Sequence, residues 1–388
     1  MITPETKIRM GMVGGGPDAF IGQVHRCVAA MDGQIELVCG AFCSDPARSE
    51  SFGHSLGLEP ERCYPDFQTM IAREAALPPE RRMLFVAIVT PNHMHFAIAE
   101  CALKAGFHVL SEKPATVSLE QACALRDRVR ASGLKYCLTH NYTGYPMVRQ
   151  ARDLVASGEL GAIRKIVVEY PQGWLASMVE QTGQKQAGWR TDPTRAGSSN
   201  CMGDIGTHAE NLAEHISGLR LKELAADLSR FGEGRTLDDD GNVLLRFEGG
   251  AKGVLHASQI STGEENDLNI RLYGEKGGLQ WKQQEPNTLI VHRLGQPSQI
   301  YRSGQDYLSP AASSMCRLPA GHTEGYLGAF ANIYRSFAAD LRRVLSGDAG
   351  SESSADYPGI EDGVRGLAFI EACVKSSQSN AAWTPLQG

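Results

Sequence analysis

The sequence predicts an α/β protein in two parts. A doubly wound parallel sheet comes first, and an α+β domain built on a largely antiparallel, open-faced sheet follows. Three observations carry this reading. Up to about residue 140, short apolar runs alternate with helical periodicity. A glycine cluster, Gly14-Gly15-Gly16, lies between the first apolar run and the first helical stretch. From residue 222 to 303, strand-like runs succeed one another with only tight turns between them.

The elements follow in order. Ile8–Val13 is a short apolar run, and a helical stretch extends to about Met31. Ile35–Cys43 is a second strand-like run, and Pro46 suits the first position of the next helix. Met83–Val89 is apolar on both faces, as a strand in a helix-covered parallel sheet must be. His93–Lys104 reads as helix, stopped by Gly106. His108–Ser111 is strand, Ser118–Ser132 helix with Ser118 as N-cap, and Lys135–His140 strand. This rhythm means βαβ units with right-handed crossovers. A helix at Val148–Ser157, a strand at Ile163–Tyr170 and a helix at Gly203–Leu219 open the second part. Glu248-Gly249-Gly250 and Glu275-Lys276-Gly277-Gly278 punctuate the strands beyond. Helices at Glu324–Ser346 and Ile360–Ser376 close the chain, with a polar loop over 348–359 between them. The boundary is expected near residue 142, giving domains 1–142 and 143–388.

Composition bounds the function. The chain has 388 residues, 42% hydrophobic and 21% charged, with a net charge of −6. That is a folded chain of two or three domains at about 150 residues each, and its mild acidity disfavours nucleic acid and membrane surfaces. Its 10 cysteines include no C-x-x-C pair and sit largely in apolar runs, so they read as free buried thiols. No long apolar segment follows Lys7 and Arg9, as a signal peptide would require. The most apolar stretch, Met83–Ala99, is broken by Pro91, Asn92, His93 and His95. A cytoplasmic location is expected. The 42 glycines exceed the roughly 27 expected at average usage, so backbone must turn tightly or approach something closely.

The glycine cluster says what approaches. Glycines between a strand and a helix let backbone N–H groups reach a pyrophosphate at the helix N-terminus. Gly14 and Gly16 give G-x-G, but Ala19 stands where the third glycine belongs and the next is Gly22. The loop is therefore enlarged by about three residues relative to the dinucleotide fingerprint. After the second strand, Ser44 with Arg48 can clamp a 2′-phosphate, which favours NADP over NAD. Asp45 can instead hold a ribose hydroxyl, or merely cap the helix with Arg48 as a surface charge.

Three polar constellations follow. Thr90-Pro91-Asn92-His93-Met94-His95 and Ser111-Glu112-Lys113-Pro114 close two successive strands, and ligands of doubly wound sheets bind at such carboxyl ends. Gly203-Asp204-Ile205-Gly206-Thr207-His208 opens a helix, with Asp204 and His208 four apart and so on one face. Oxidising a secondary alcohol needs a base for its proton as hydride leaves the carbon. His208 titrates in the right range, Lys113 can stabilise the developing alkoxide, and Asp204 can orient the pair. Each residue alone has an ordinary structural reading. A metal-dependent hydrolase using His93-x-His95, or a dinucleotide sensor without chemistry, are the competing readings.

The segments VTPNHMHFAIAECALKAGFHVLSEKPATVSLEQA and GWRTDPTRAGSSNCMGDIGTHAENL resemble the family of glucose–fructose oxidoreductase, inositol 2-dehydrogenase and MocA, across essentially the whole chain. The resemblance implies an N-terminal Rossmann domain and NAD(P)-dependent oxidation or reduction of a sugar, inositol or related polyol. It places Lys113, Asp204 and His208 on catalytic and substrate-binding positions. Thr90, Pro91, Asn92, His95, Glu112, Lys113 and Asn141 fall at the cofactor, and Trp189-Arg190 beside the nicotinamide. Tyr142, His140 and His322 are candidate substrate contacts, and Tyr326 a candidate border of the cofactor. Thr143 stands where many relatives have Arg. The resemblance also implies a homodimer or homotetramer assembled through the C-terminal sheet. No metal is expected.

Overall fold

The computed structural model describes residues 7–347 and 356–387; most of the loop expected over 348–359 lies outside them, as does the start of the chain. Contacts divide the described residues into two compact units. The first holds the chain up to Thr116, Glu120–Thr139 and Phe330–Gly363, and the second holds Val117–Leu119, His140–Ala329 and the residues from Val364 onward. The spatial division is therefore not a single cut in the sequence.

In the first unit, β1 (Ile8–Gly14), α1 (Phe20–Met31), β2 (Ile35–Ala41), α2 (Pro46–Ser55) and α3 (Phe67–Ala76) precede β3 (Phe85–Val89), α4 (His95–Lys104), β4 (His108–Ser111), α5 (Leu119–Ser132) and β5 (Tyr136–Leu138). The five strands are all parallel, in the order β2-β1-β3-β4-β5. Strand order reverses between β1 and β3, and crevices at such switch points bind ligands. Every residue of β3 and β4 is buried, and β3 accordingly reads as a continuously apolar run. Asp45 caps α2 by accepting from the Arg48 N–H at 2.9 Å, with Pro46 in the first turn. The sequence reading passed over α3. Asp66 caps it, and Met70, Ile71 and Glu74 form its buried face. Glu74 then takes a buried two-pronged ion pair from Arg62, at 3.0 and 2.6 Å, and a hydrogen bond from the Tyr64 hydroxyl at 3.0 Å.

In the second unit, α6 (Pro146–Ala156), β6 (Ile163–Pro171), α7 (Lys185–Arg190) and α8 (Pro193–Ala196) lead to a π-helical turn, Met202–Gly206, and then α9 (Thr207–Ser217). The strands β7 (Leu221–Ser229), β8 (Asp240–Phe247), β9 (Lys252–Ser258), β10 (Asn269–Gly274), β11 (Gly277–Lys282), β12 (Thr288–Arg293) and β13 (Gln299–Arg302) follow. After them come α10 (Pro310–Ser314), α11 (Tyr326–Leu345), α12 (Ile360–Gln378) and β14 (Thr384–Pro385); α11 and α12 are shared between the units. The sheet has nine strands in the order β13-β12-β11-β10-β6-β9-β8-β7-β14, and of its pairs only β6 with β9 is parallel. The fold is thus the parallel sheet plus largely antiparallel sheet that the sequence predicts. Among the described residues, no helix is long and apolar enough to cross a membrane.

His108 gives the first unit a titratable core contact. Its Nδ1 accepts the Lys135 main-chain N–H at 2.9 Å, and burial, helped by the Lys135 charge, lowers its pKa to about 4 against some opposing pull from Asp340. The unfolded imidazole titrates near its ordinary 6.5. Between those values the unfolded chain binds the extra proton, so stability present above pH 6.5 falls as pH drops toward 4, by up to ~3 kcal/mol. Urea unfolding at pH 7 and at pH 4.5 should show this loss, and His108→Gln, whose amide oxygen can still accept the Lys135 N–H, should show a smaller one.

Candidate active site

The first unit's site grows from the end of β1. Gly14 and Gly15 take left-handed φ values of 82° and 68°. A Cβ on Gly14 would stand 2.3 Å from the Val89 carbonyl oxygen, and the Gly15 N–H donates to that oxygen at 3.0 Å. The glycine turn is therefore pressed against the end of β3. A Cβ on Gly16 would stand 2.8 Å from the Phe42 carbonyl at the end of β2. Gly22 takes up the packing role of the third fingerprint glycine: its Cβ would lie 2.3 Å from the Gly15 Cα. The extra residues therefore lie between Gly16 and Gly22, and α1 begins at Phe20.

At the end of β3, the Thr90 Oγ1 is buried without a hydrogen-bond partner beside this turn. His95 is wholly buried, with Nε2 at 2.8 Å from the Thr90 carbonyl and Nδ1 at 2.8 Å from the Pro114 carbonyl. Burial lowers its pKa, although both carbonyls pull the other way. His95 thus ties the loop after β3 to the loop after β4. Two occupied ring nitrogens also remove it from the His93-x-His95 metal reading. Asn92 is buried in the turn between Pro91 and α4.

Glu112 follows β4. Its Oε1 accepts from His25 Nε2 at 2.9 Å and from the Thr139 hydroxyl at 2.6 Å, while His25 Nδ1 meets the Tyr334 hydroxyl at 2.6 Å. Burial pushes the Glu112 carboxyl up, but His25, Lys113 and Thr139 together hold it below its usual range. Glu112 therefore stays an anion beside Lys113, which is half-buried after β4. Ser44 and Arg48 lie exposed past β2, and Arg48 pairs with Asp18 of the inserted loop at 3.1 Å. The 2′-phosphate clamp predicted from Ser44 and Arg48 thus has its guanidinium already engaged.

The second unit holds the other residues. Asp238 is buried and accepts from the Ser199 hydroxyl and from the N–H groups of Asn200 and Met202, at 2.9 to 3.1 Å. It thereby caps the π-helical turn that presents Asp204, and such turns recur at functional sites. The Asp204 carboxylate meets Arg190 Nε at 3.1 Å and accepts from Gln259 Nε2 at 2.9 Å, and Asn200 in turn donates to Gln259 at 2.8 Å. Arg190 stacks over Trp189 at 4.2 Å, so the predicted Trp-Arg pair acts on Asp204. His208 is buried, its Nδ1 at 3.4 Å from His140 Nδ1 and its ring edge-on to Tyr142 with centroids 4.9 Å apart. Tyr326 lies 6.4 Å from Tyr142. Asn141 is buried with no partner for Nδ2, and Thr143 donates to the His140 carbonyl at 2.8 Å. His322 is exposed, and no described contact joins it to this cluster; its Nδ1 faces the Pro319 carbonyl.

Sequence reasoning missed His25, Tyr334, Thr139, Asp238, Gln259, Tyr170 and Asn266. Tyr170 ends an alternating strand and Asp238 opens a run of three aspartates, which are faint signals; the others carry none.

These residues fit a dinucleotide. The glycine turn leaves no room for a Cβ, and Thr90 Oγ1 beside it is a buried polar atom still lacking a partner. The family model described as "Oxidoreductase family, NAD-binding Rossmann fold" matches residues 8–140, and the GFO/IDH/MocA C-terminal domain model matches residues 148–280. The chain belongs to the GFO/IDH/MocA oxidoreductase family. It is 34% identical to the uncharacterized oxidoreductase YfiI of Bacillus subtilis (strain 168), over 97% of this chain and 96% of that one. Among solved structures, an inositol dehydrogenase homolog from Azotobacter vinelandii complexed with NAD+ superposes with a TM-score of 0.94 at 38% identity, covering 99% of this chain and 100% of that chain. The inositol dehydrogenase homolog from the same organism, complexed with NADH and myo-inositol, gives 0.91 at 37% identity over 98% of each. The chain is accordingly an NAD-binding oxidoreductase of the dehydrogenase type.

Gly22→Ala tests the enlarged turn. Forcing a methyl group against Gly15 should cost about 1–3 kcal/mol, read by urea unfolding, and should weaken NADH binding in a fluorescence titration.

Proposed function

We propose that this oxidoreductase transfers hydride between NAD and a secondary hydroxyl carbon of an inositol-like cyclic polyol or a sugar. The observation that carries the reading is the oriented carboxylate of Asp204, held by Arg190 and Gln259, four residues before a buried histidine. The homologue solved with NADH and myo-inositol supports the substrate class. When bound, NAD+ supplies the hydride acceptor. Gly14 and Gly16 would hold its pyrophosphate, and Thr90, Asn92, Glu112 and Asn141 its ribose and nicotinamide side.

In the oxidative direction, His208 takes the hydroxyl proton and can share it with His140, whose Nδ1 is 3.4 Å away. Lys113 donates a hydrogen bond to the same substrate oxygen and stabilises its developing charge. Asp204 binds a neighbouring hydroxyl and keeps the imidazole in register. For the cofactor we infer NAD and not NADP, because Arg48 is paired with Asp18 while Asp45 lies exposed at the end of β2. The solved homologues with NAD+ and NADH agree. A cytoplasmic setting suits the ten cysteines, all of which are free thiols.

The test is a panel of inositols and sugars with NAD or NADP, followed by nicotinamide absorbance. NAD-dependent oxidation of a polyol is expected, and Lys113→Ala and His208→Ala should each lower kcat by ~100-fold or more. Near-normal turnover in both variants would sink the assignment.

We also propose that two copies associate through the outer face of the nine-stranded sheet. Ala225, Leu244, Val254 and Val167 lie side by side across β7, β8, β9 and β6, and Leu244 is 51% exposed. The ion pairs Arg246–Glu223 and Arg271–Glu169 flank this row. Light scattering should report an oligomer for the native chain and smaller species for Leu244→Glu.

A further inference from the structure

Beside His208, three side chains close a ring of hydrogen bonds that no catalytic role uses. The Tyr170 hydroxyl donates to Asn266 Oδ1 at 2.7 Å, and Asn266 Nδ2 donates to the Tyr142 oxygen at 3.1 Å. The two tyrosine hydroxyls are also bonded to each other. A phenol has one proton. Tyr170 has given its proton to Asn266, so Tyr142 must donate to Tyr170. The ring therefore runs one way, and such chains polarise and strengthen each link. Burial, with Asp204 nearby, raises the pKa of both phenols, so neither gives up its proton to solvent.

The consequence lies in what the ring still offers. Both hydroxyl protons are committed, so Tyr142 and Tyr170 can only accept a further hydrogen bond. Gln172 adds to this. Its Nε2 donates to Asn266 Oδ1 at 2.6 Å, which turns its Oε1 away from the ring, and that oxygen is buried with no donor in reach. The Asp204 carboxylate, whose charge is felt by both tyrosines, is an acceptor as well.

We infer that this wall is an acceptor surface, set by Asn266 and Gln172, that selects an uncharged polyol through the protons of its hydroxyls. Phosphorylated or carboxylated substrates would bring oxygen lone pairs against those of Tyr142, Tyr170 and Gln172 Oε1, and neither tyrosine hydroxyl could turn its committed proton toward them. The inference rests on the dehydrogenase reading and narrows its substrate to neutral polyhydroxylated compounds. Asn266 is then a positioning residue that acts through the two tyrosines, while Gln172 meets the substrate.

The experiment compares myo-inositol, its monophosphate and a mono-deoxy inositol as NAD-linked substrates of the full-length enzyme and of Asn266→Ala and Gln172→Ala. The native enzyme should prefer the uncharged polyol over the monophosphate by at least ~100-fold in kcat/KM. Each variant should raise the polyol KM by roughly 10-fold, with kcat within about 3-fold, and should penalise the deoxy compound less than the native enzyme does. Should Asn266→Ala fail to fold, as judged by its thermal midpoint and by NADH fluorescence binding, Gln172→Ala carries the test. Equal use of the monophosphate, or unchanged KM and unchanged deoxy discrimination in the variants, overturns the acceptor wall and leaves the dehydrogenase standing. Absence of NAD-linked oxidation of any compound, charged or neutral, overturns both.

Discussion

The contact between Gly15 and Gly22 governs the first unit. A Cβ on Gly22 would stand 2.3 Å from the Gly15 Cα, so α1 can lie against the end of β1 only because both positions lack side chains. That seating fixes the next turn of the helix. Arg26 then donates to the Gly15 carbonyl at 2.6 Å, and His25 arrives between Tyr334 and Glu112. Tyr334 meets Nδ1, and the anionic Glu112 accepts from Nε2. A backbone approach thereby delivers a donor that helps hold a carboxylate in its charged form next to Lys113. The inserted loop before α1 leaves this chain intact, because the third glycine moved with the helix.

The second unit solves a different problem: presenting an aspartate and a histidine from one helix start without burying an unpaired charge. Asp238 accepts three donors at the mouth of the π-helical turn. Asp204 is then met by Arg190 and Gln259, and Trp189 braces Arg190. Burying a carboxylate is costly unless it is paired and hydrogen-bonded. Here the partners come from α7 and from the residue after β9, so the long connection after β6 is needed to deliver one of them.

What the sequence revealed and what it hid follow from the range of each interaction. Strands buried on both faces announce themselves as apolar runs, and glycines that turn a chain sit next to the turn they make. The places of Gly14, Lys113, Asp204 and His208 in the fold were legible because they lie in local order: glycine after a strand, Lys after a strand, Asp and His at a helix start. His25 was not, because its partners are 87 and 309 residues away. Asn266 was not, because it bonds to Tyr142 from 124 residues off and lies in a loop with no pattern of its own. The lean toward NADP shows the same limit. Arg48 near the end of β2 looked available for a phosphate, yet Asp18, 30 residues earlier, engages it. Short exposed pairs of this kind add little stability, and this one holds Arg48 against the inserted loop.

These arrangements separate two tasks that one constellation could have confused. The groups proposed to move a proton and to stabilise an alkoxide, His208 and Lys113, carry or can carry a positive charge and would attract any anion. Selectivity against anions cannot come from them. It must come from groups that refuse lone pairs, and a hydroxyl does so only when its own proton is committed elsewhere. The ring of Tyr142, Tyr170 and Asn266 meets that condition with neutral side chains, so it adds no charge that would perturb His208. Changing the ring alters which substrates are held and leaves the proton chemistry in place.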